Sequence, residues 1–186
     1  MNIGIDIDDT ITNTYETLLP IINLKYGMSF DKILKKNPSY DMLRNILPDF
    51  NTFVLDNYTT MAKVVPLKEG VIEVLSKLKS QGHKIIFITA RNNIEYKNPY
   101  ELSYDYLKVN KIPFDKLIVN VKDKARECIL QDIDLFIDDN TKNCKAVKNR
   151  GIETLQFGTI FTPESKHLKR VNSWEEVYNK VQEMYA

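Results

Sequence analysis

The sequence predicts an α/β domain, in which a parallel sheet of about five strands is flanked by helices. Short apolar runs bounded by polar or turn residues are typical of buried parallel strands. Amphipathic segments of helical length lie between these runs, and such alternation is typical of a Rossmann-like fold. The expected strands cover residues 2–7, 84–89, 116–120, 134–138 and 152–157. The expected helices cover residues 69–79, 99–110, 124–131, 141–150 and 174–185.

One long segment interrupts this alternation. Residues 13–66 follow the first strand and are too numerous for a loop, yet they carry many apolar side chains. We interpret them as a small helical cap over the strand ends, inserted into a core domain formed by residues 1–12 and 67–186. The aromatic side chains of this segment either stack on a substrate or form the core of the cap; they include Tyr15, Tyr26, Phe30 and Tyr40.

Composition limits the classes of partner. The 186 residues include 26 basic and 25 acidic side chains, so no strong overall charge attracts a nucleic acid polymer or an anionic membrane. No apolar run is long enough to span a bilayer, and the N-terminus does not resemble a signal peptide. Cys128 and Cys144 form no CxxC motif and are expected to be reduced. These features predict a soluble, cytoplasmic protein.

Acidic side chains lie at the ends of two of the predicted strands. Asp6, Asp8 and Asp9 lie at the end of the first strand, and Asp138 and Asp139 lie at the end of the fourth. In parallel α/β sheets, ligands bind beyond the carboxyl ends of the strands. Carboxylate oxygens are preferred ligands of hard divalent cations such as Mg²⁺. Taken alone, the first acidic group could instead be a turn that caps the next element.

Polar side chains suited to phosphate lie at the ends of the second and third predicted strands. Thr89 offers a hydroxyl and Arg91 a guanidinium, and either Lys122 or Lys124 offers an ammonium group. Each could separately be an ordinary polar turn or a solvated lysine. Their occurrence at successive strand ends together with two acidic groups favours a single phosphate site.

This pattern resembles the haloacid dehalogenase superfamily of phosphatases. Its first motif, DxDx[TV], is matched by residues 6–10, and its second, a Ser or Thr after the next strand, by Thr89. Its third motif, a lysine, is matched by Lys124 or Lys122, and its fourth, an acidic pair, by residues 138–139. The resemblance covers the predicted α/β portion, and residues between the first two motifs resemble the small helical cap of that superfamily.

Residues 136–139 and the small cap are most similar to the 5′(3′)-deoxyribonucleotidase-like group and its uncharacterised bacterial relatives. In that group the lysine follows an aspartate. This feature favours Lys124, which follows Asp123, over Lys122.

The resemblance implies a covalent phosphatase mechanism. Asp6 would attack phosphorus and form an aspartyl-phosphate, while Asp8 would act as general acid and then as general base. Mg²⁺ would be held by the Asp6 carboxylate, the Asp8 carbonyl and Asp138, with water completing its coordination. Asp139 would bind the metal through water or orient a ligand, and Thr10 would support the site.

Thr89 and Lys124 would hold phosphoryl oxygens, and Arg91 would contact phosphate or a second anionic group. The expected substrate is a small phosphorylated metabolite, with nucleoside monophosphates as the first choice and sugar phosphates as an alternative.

Other protein classes fit the sequence less well. A receiver domain of two-component signalling is disfavoured because Asp6 and Asp8 share one strand end. A P-loop nucleotide-binding enzyme is disfavoured because its sequence motif is absent. A phosphate-binding or regulatory protein without turnover is the alternative from another functional class.

Overall fold

The computed structural model describes residues 1–29 and 49–185, and it confirms the α/β class. One sheet contains six strands, all parallel, in the order β3-β2-β1-β4-β5-β6. The strands are β1 (Asn2–Ile5), β2 (Lys84–Ile88), β3 (Lys116–Ile118), β4 (Leu135–Asp138), β5 (Glu153–Phe157) and β6 (Lys169–Val171). The first five were expected. The sixth is a three-residue edge strand that begins with two basic residues, so it lacks the apolar run by which the others are recognised.

The helices expected in the α/β portion are present, with ends within two residues of the predicted ones. The described helices are α1 (Thr14–Tyr26), α2 (Phe50–Val64), α3 (Val71–Ser80), α4 (Pro99–Val109), α5 (Lys124–Leu130), α6 (Thr141–Lys148) and α7 (Trp174–Tyr185). Within residues 1–29 and 49–185, no helix has the length and apolar character needed to cross a membrane.

Strand β1 lies at the centre of the sheet and is buried on both faces. Ile3 and Ile5 pack into one apolar cluster and are fully buried. Gly4 faces the opposite side, where a Cβ atom would come within 3.2 Å of Ile133 and Phe136. A larger residue at this position would therefore require these neighbouring side chains to shift by a few tenths of an ångström. Because the strand is fixed by neighbours on both edges and both faces, the acidic segment that follows it has a defined starting point.

The described part of the cap segment is helical and has an apolar cluster of its own. Leu18 and Ile22 of α1 pack with Phe53 of α2, against side chains of the α/β portion such as Tyr96 and Phe161. Tyr26 packs against Phe53, with ring centroids 5.8 Å apart, and so belongs to this cluster. Phe30 and Tyr40 lie outside the described residues.

The chain enters and leaves the cap segment through two adjacent stretches. Thr12 and Leu67 form an antiparallel bridge, and the Asn13 amide donates to the Pro66 carbonyl at 2.9 Å. These contacts lie at the boundaries proposed from the sequence. The division into a core domain and a cap of residues 13–66 stays a prediction.

Candidate active site

The carboxyl ends of β1, β2 and β4 bring polar side chains together at one edge of the sheet. β1 lies between β2 and β4, so Asp6 is flanked by Thr89 and Asp138. These residues line a cleft of about 460 Å³. Thr10 lies buried beside it. The other residues expected at the site from the sequence also line this cleft: Asp8, Arg91, Lys124 and Asp139.

Lys124 bridges the two acidic strand ends. Its Nζ donates to Asp6 Oδ1 and, at 2.7 Å, to Asp138 Oδ2. Burial alone would lower the pKa of Lys124, but the charges of Asp138 and Asp6 outweigh it and raise that pKa. Lys122 also lines the cleft, but it is exposed and contacts neither carboxylate. The geometry therefore favours Lys124 over Lys122 as the lysine of this site.

Asp138 and Asp139 have different environments. Both Asp138 oxygens accept hydrogen bonds, Oδ1 from the Asn140 amide at 2.7 Å and Oδ2 from Lys124 and the Asn143 side chain. The Asp139 carboxylate accepts no hydrogen bond from the described residues, whereas its amide donates to Thr10 Oγ1 at 3.0 Å. This arrangement leaves Asp139 as the carboxylate available to a ligand, and it gives Thr10 a role in holding the two acidic loops together.

Burial disfavours the charged forms of several carboxyl groups in the acidic cluster. Burial, opposed by Lys124 but reinforced by Asp138 and Asp8, raises the pKa of Asp6 to about 7. Burial also raises the pKa of Asp139 well above its ordinary value and that of Asp9 to about 8.

A divalent cation fits this cluster. Carboxylate oxygens of Asp6, Asp138 and Asp139 lie within 4.8 Å of one another. Asp9 Oδ2 lines the same region and is a buried oxygen without a hydrogen-bond partner among the described residues. Hard oxygen donors of this kind suit Mg²⁺, whose charge would also stabilise the ionised form of these buried carboxylates.

Asp8 and Arg91 form a bidentate ion pair. The guanidinium donates from Nε to Asp8 Oδ2 at 2.9 Å and from Nη2 to Asp8 Oδ1 at 2.8 Å. Thr14, at the start of α1, donates to Asp8 Oδ1 at 3.0 Å. Burial alone would raise the pKa of Asp8, but the charge and hydrogen bonds of Arg91 lower it overall. The sequence predicted that Arg91 would contact phosphate or a second anionic group, and this stays a prediction; in the structure its guanidinium contacts Asp8.

The remaining walls of the cleft combine a free hydroxyl with aromatic rings. Thr89 is buried, and its hydroxyl accepts from the Arg91 amide but donates to none of the described residues, so its proton is available to an anion. Tyr15, Tyr58 and Tyr96 line the cleft. Tyr15 also packs against Phe161, with ring centroids 5.1 Å apart, so it contacts both the cleft and the protein interior.

Several residues of this site were not predicted, among them Tyr58 and Tyr96. Asp9 was recognised only as part of an acidic turn, and Thr14 only as part of the cap. Asn143 lies in the first turn of the helix after β4, where proximity to the strand end could have signalled its contact with Asp138. Ser103, on α4, accepts from Arg91 at 3.2 Å, and no local pattern indicates that contact.

Comparison with known proteins agrees with this geometry. The family described as "5′ nucleotidase, deoxy (Pyrimidine), cytosolic type C protein" matches residues 1–185. The chain belongs to this nucleotidase family. A nucleotidase from Clostridium acetobutylicum is 30% identical to it over the whole chain and 95% of the relative. A Chlorobaculum tepidum protein with the provisional name 5′(3′)-deoxyribonucleotidase is 25% identical over 96% of this chain and 89% of the relative.

Solved structures place the nucleotidase in the haloacid dehalogenase fold. A haloacid dehalogenase-like hydrolase from Streptococcus pneumoniae superposes with a TM-score of 0.68 and 15% identity, over 97% of this chain and 98% of the other. The superfamily resemblance and the assignment as a phosphatase of the nucleotidase type are therefore confirmed.

Proposed function

We propose that this nucleotidase hydrolyses nucleoside monophosphates with Mg²⁺ through an aspartyl-phosphate on Asp6. The observation that carries the proposal is the position of the Asp6 carboxylate. One of its oxygens is held by Lys124, while the other accepts no hydrogen bond from the described residues. A carboxylate fixed in this way beside a lysine and a free hydroxyl, that of Thr89, suits in-line attack on a phosphoryl group.

In the first step Asp6 Oδ2 forms a bond to phosphorus as the bond to the leaving alcohol oxygen breaks. Asp8 donates a proton to that oxygen, which takes the electron pair of the broken bond. In the second step water attacks the phosphorus of the aspartyl-phosphate, and Asp8 takes the proton of the water. Inorganic phosphate and the Asp6 carboxylate are released. Thr89 and Lys124 hold phosphoryl oxygens in both steps.

Mg²⁺ would be held by Asp6, Asp139 and the carbonyl oxygen of Asp8, and when bound it would offset the charge that develops on the phosphoryl oxygens. The choice of Asp139 departs from the set inferred from the sequence, in which Asp138 was the direct ligand. It is supported by the hydrogen bonds that both Asp138 oxygens accept, whereas the Asp139 carboxylate accepts none from the described residues. Asp138 instead orients Lys124.

The family description and the shape of the cleft support nucleotides as the substrate class. The family is described by its action on deoxy pyrimidine nucleotides. A cleft of about 460 Å³ is within the size range of sites for small organic ligands. Tyr15, Tyr58 and Tyr96 offer rings against which a base or sugar can pack.

The test is Mg²⁺-dependent phosphate release from a panel of deoxyribonucleoside and ribonucleoside monophosphates and sugar phosphates. We expect the largest kcat/KM for a nucleoside monophosphate. Preference for a sugar phosphate would overturn the substrate class but leave the phosphatase mechanism. No release from any member, with none from nitrophenyl phosphate, would favour a phosphate-binding protein without turnover.

Metal binding gives a prediction that does not depend on turnover. Mg²⁺ at about a hundredfold excess over its dissociation constant should stabilise the wild-type protein by about 2.7 kcal/mol. Asp139→Asn should weaken Mg²⁺ binding by on the order of tenfold or more and reduce this stabilisation, because it removes a charged oxygen ligand. Thermal unfolding with and without Mg²⁺ measures the stabilisation of the wild-type protein and its reduction in Asp139→Asn. Asp105→Asn, at an exposed position outside the cleft, is the control and should respond like wild type.

A further inference from the structure

Arg91 lies at the wall of the cleft, but its side chain is almost completely enclosed by protein. Only 1% of it is exposed, although the residue follows a strand that ends at the site. Its Nη1 donates to Ser103 Oγ on α4 at 3.2 Å, and its guanidinium lies 5.4 Å from the centre of the Tyr96 ring. Its backbone carbonyl accepts from the Asn120 amide at 2.8 Å. Side chain and backbone are therefore both anchored.

This enclosure argues against a phosphate ligand. Nε and Nη2 donate to Asp8, and Nη1 donates to Ser103. A phosphate could approach the guanidinium only by displacing Asp8, since almost none of the Arg91 side chain reaches solvent. Displacement would leave the partly buried Asp8 carboxylate without its cation, which is costly.

The contacts of Asp8 distinguish its two oxygens. Oδ1 accepts from Arg91 Nη2 and from Thr14, which fills both of its acceptor positions. Oδ2 accepts only from Arg91 Nε among the described residues, and so retains one free acceptor position. The Asp8 side chain is 28% exposed and lines the cleft, so a leaving group can reach this carboxylate.

We propose that Arg91 is a positioning residue that fixes the plane of the Asp8 carboxylate, so that Oδ2 exchanges the proton with the leaving oxygen and later with water. A planar guanidinium that forms two parallel hydrogen bonds sets the orientation of a carboxylate, which a lysine cannot do. Ser103 does not contact Asp8 but accepts a hydrogen bond from the guanidinium and so holds it in place. This inference rests on the proposed function, in which Asp8 is the general acid and base.

The test compares poor and good leaving groups in Arg91→Met and Arg91→Lys. Misplacement of the general acid should lower kcat/KM for a nucleoside monophosphate by about 10²-fold in Arg91→Met, and by less than about tenfold for nitrophenyl phosphate, whose leaving group needs little protonation. Inhibition by inorganic phosphate should be unchanged. Arg91→Lys should lose nearly as much activity toward the nucleoside monophosphate as Arg91→Met does. Arg126→Met, the same substitution at an exposed arginine outside the cleft, should leave all these values unchanged.

A double-mutant cycle separates positioning from phosphate binding. With Asp8→Asn already present, Arg91→Met should change kcat/KM by less than about twofold, because the group it positions is gone. An undiminished second loss, or phosphate inhibition that weakens with Arg91→Met, would overturn the inference. Should Arg91→Met fail to fold by thermal unfolding, Ser103→Ala keeps the charge pair and should show the same dependence on leaving group in milder form; equal losses with both substrates would overturn it.

These outcomes differ from failure of the proposed function. If Asp6→Asn keeps the turnover of the wild-type protein, the covalent mechanism is wrong, and the positioning inference that rests on it is overturned as well. If turnover requires Asp6 and Asp8 but the Arg91 variants lose activity equally on good and poor leaving groups, only the positioning inference is wrong.

Discussion

Replacing Asp6 by asparagine should abolish phosphate release. The amide is a far weaker nucleophile than a carboxylate, so kcat should fall by roughly four orders of magnitude or more. Rapid quenching with a phosphate-labelled substrate should detect a labelled wild-type protein and an unlabelled variant. The variant should remain folded, because Lys124 keeps its second partner, Asp138.

Stability measurements complete this prediction. In the wild-type protein burial and neighbouring carboxylates raise the pKa of Asp6 to about 7, so its charge is unfavourable in the fold above neutral pH. In the absence of metal, Asp6→Asn should therefore unfold above neutral pH at a temperature no lower than wild type. Asp105→Asn is the matched control for activity. Turnover near the wild-type rate in Asp6→Asn would exclude Asp6 as the nucleophile.

Replacing Lys124 by methionine should affect stability more than any other single change at the site. The ammonium group is buried between Asp6 and Asp138, and its removal leaves two buried carboxylates without a cation. Loss of one partner from a buried ion pair costs about 3–5 kcal/mol. Urea unfolding in the absence of metal measures this difference.

Lys122→Met supplies the matched control two residues away. Lys122 is exposed and contacts neither carboxylate, so its replacement should change the free energy of unfolding by less than about 0.5 kcal/mol. Activity should follow the same order, with a loss of about 10²-fold or more for Lys124→Met, which removes a positive charge from the reaction centre. Equal effects of the two substitutions would contradict the assignment of Lys124.

The meeting of Asp6, Thr89 and Asp138 could be predicted because it depends only on topology. Parallel strands with helical crossovers bring their carboxyl ends to one edge, whatever the details of packing. The choice between Asp138 and Asp139 could not be made this way. Neighbouring residues of an extended chain point in opposite directions, and which of them meets Lys124 depends on where the strand ends.

The pairing of Arg91 with Asp8 could not be predicted from the sequence either. A guanidinium binds carboxylate and phosphate with similar geometry, so its residue type does not decide between them. The decision comes from Ser103 and Tyr96, which enclose the side chain and lie on separate parts of the chain. Strand β6 was missed for a different reason, since an exposed three-residue edge strand needs no apolar pattern.

The indole of Trp174 donates to the Thr10 carbonyl at 3.2 Å, across 164 residues of sequence. Trp174 is fully buried, and the loop that it holds carries Asp6 to Thr10. The strand partners of β1 come from residues 84–88 and 135–138, which lie far from it in the sequence. The acidic loop is thus held by parts of the chain that follow it, and Trp174 follows all of these partners in the sequence. We therefore expect the order of the acidic loop to depend on α7, the last helix described.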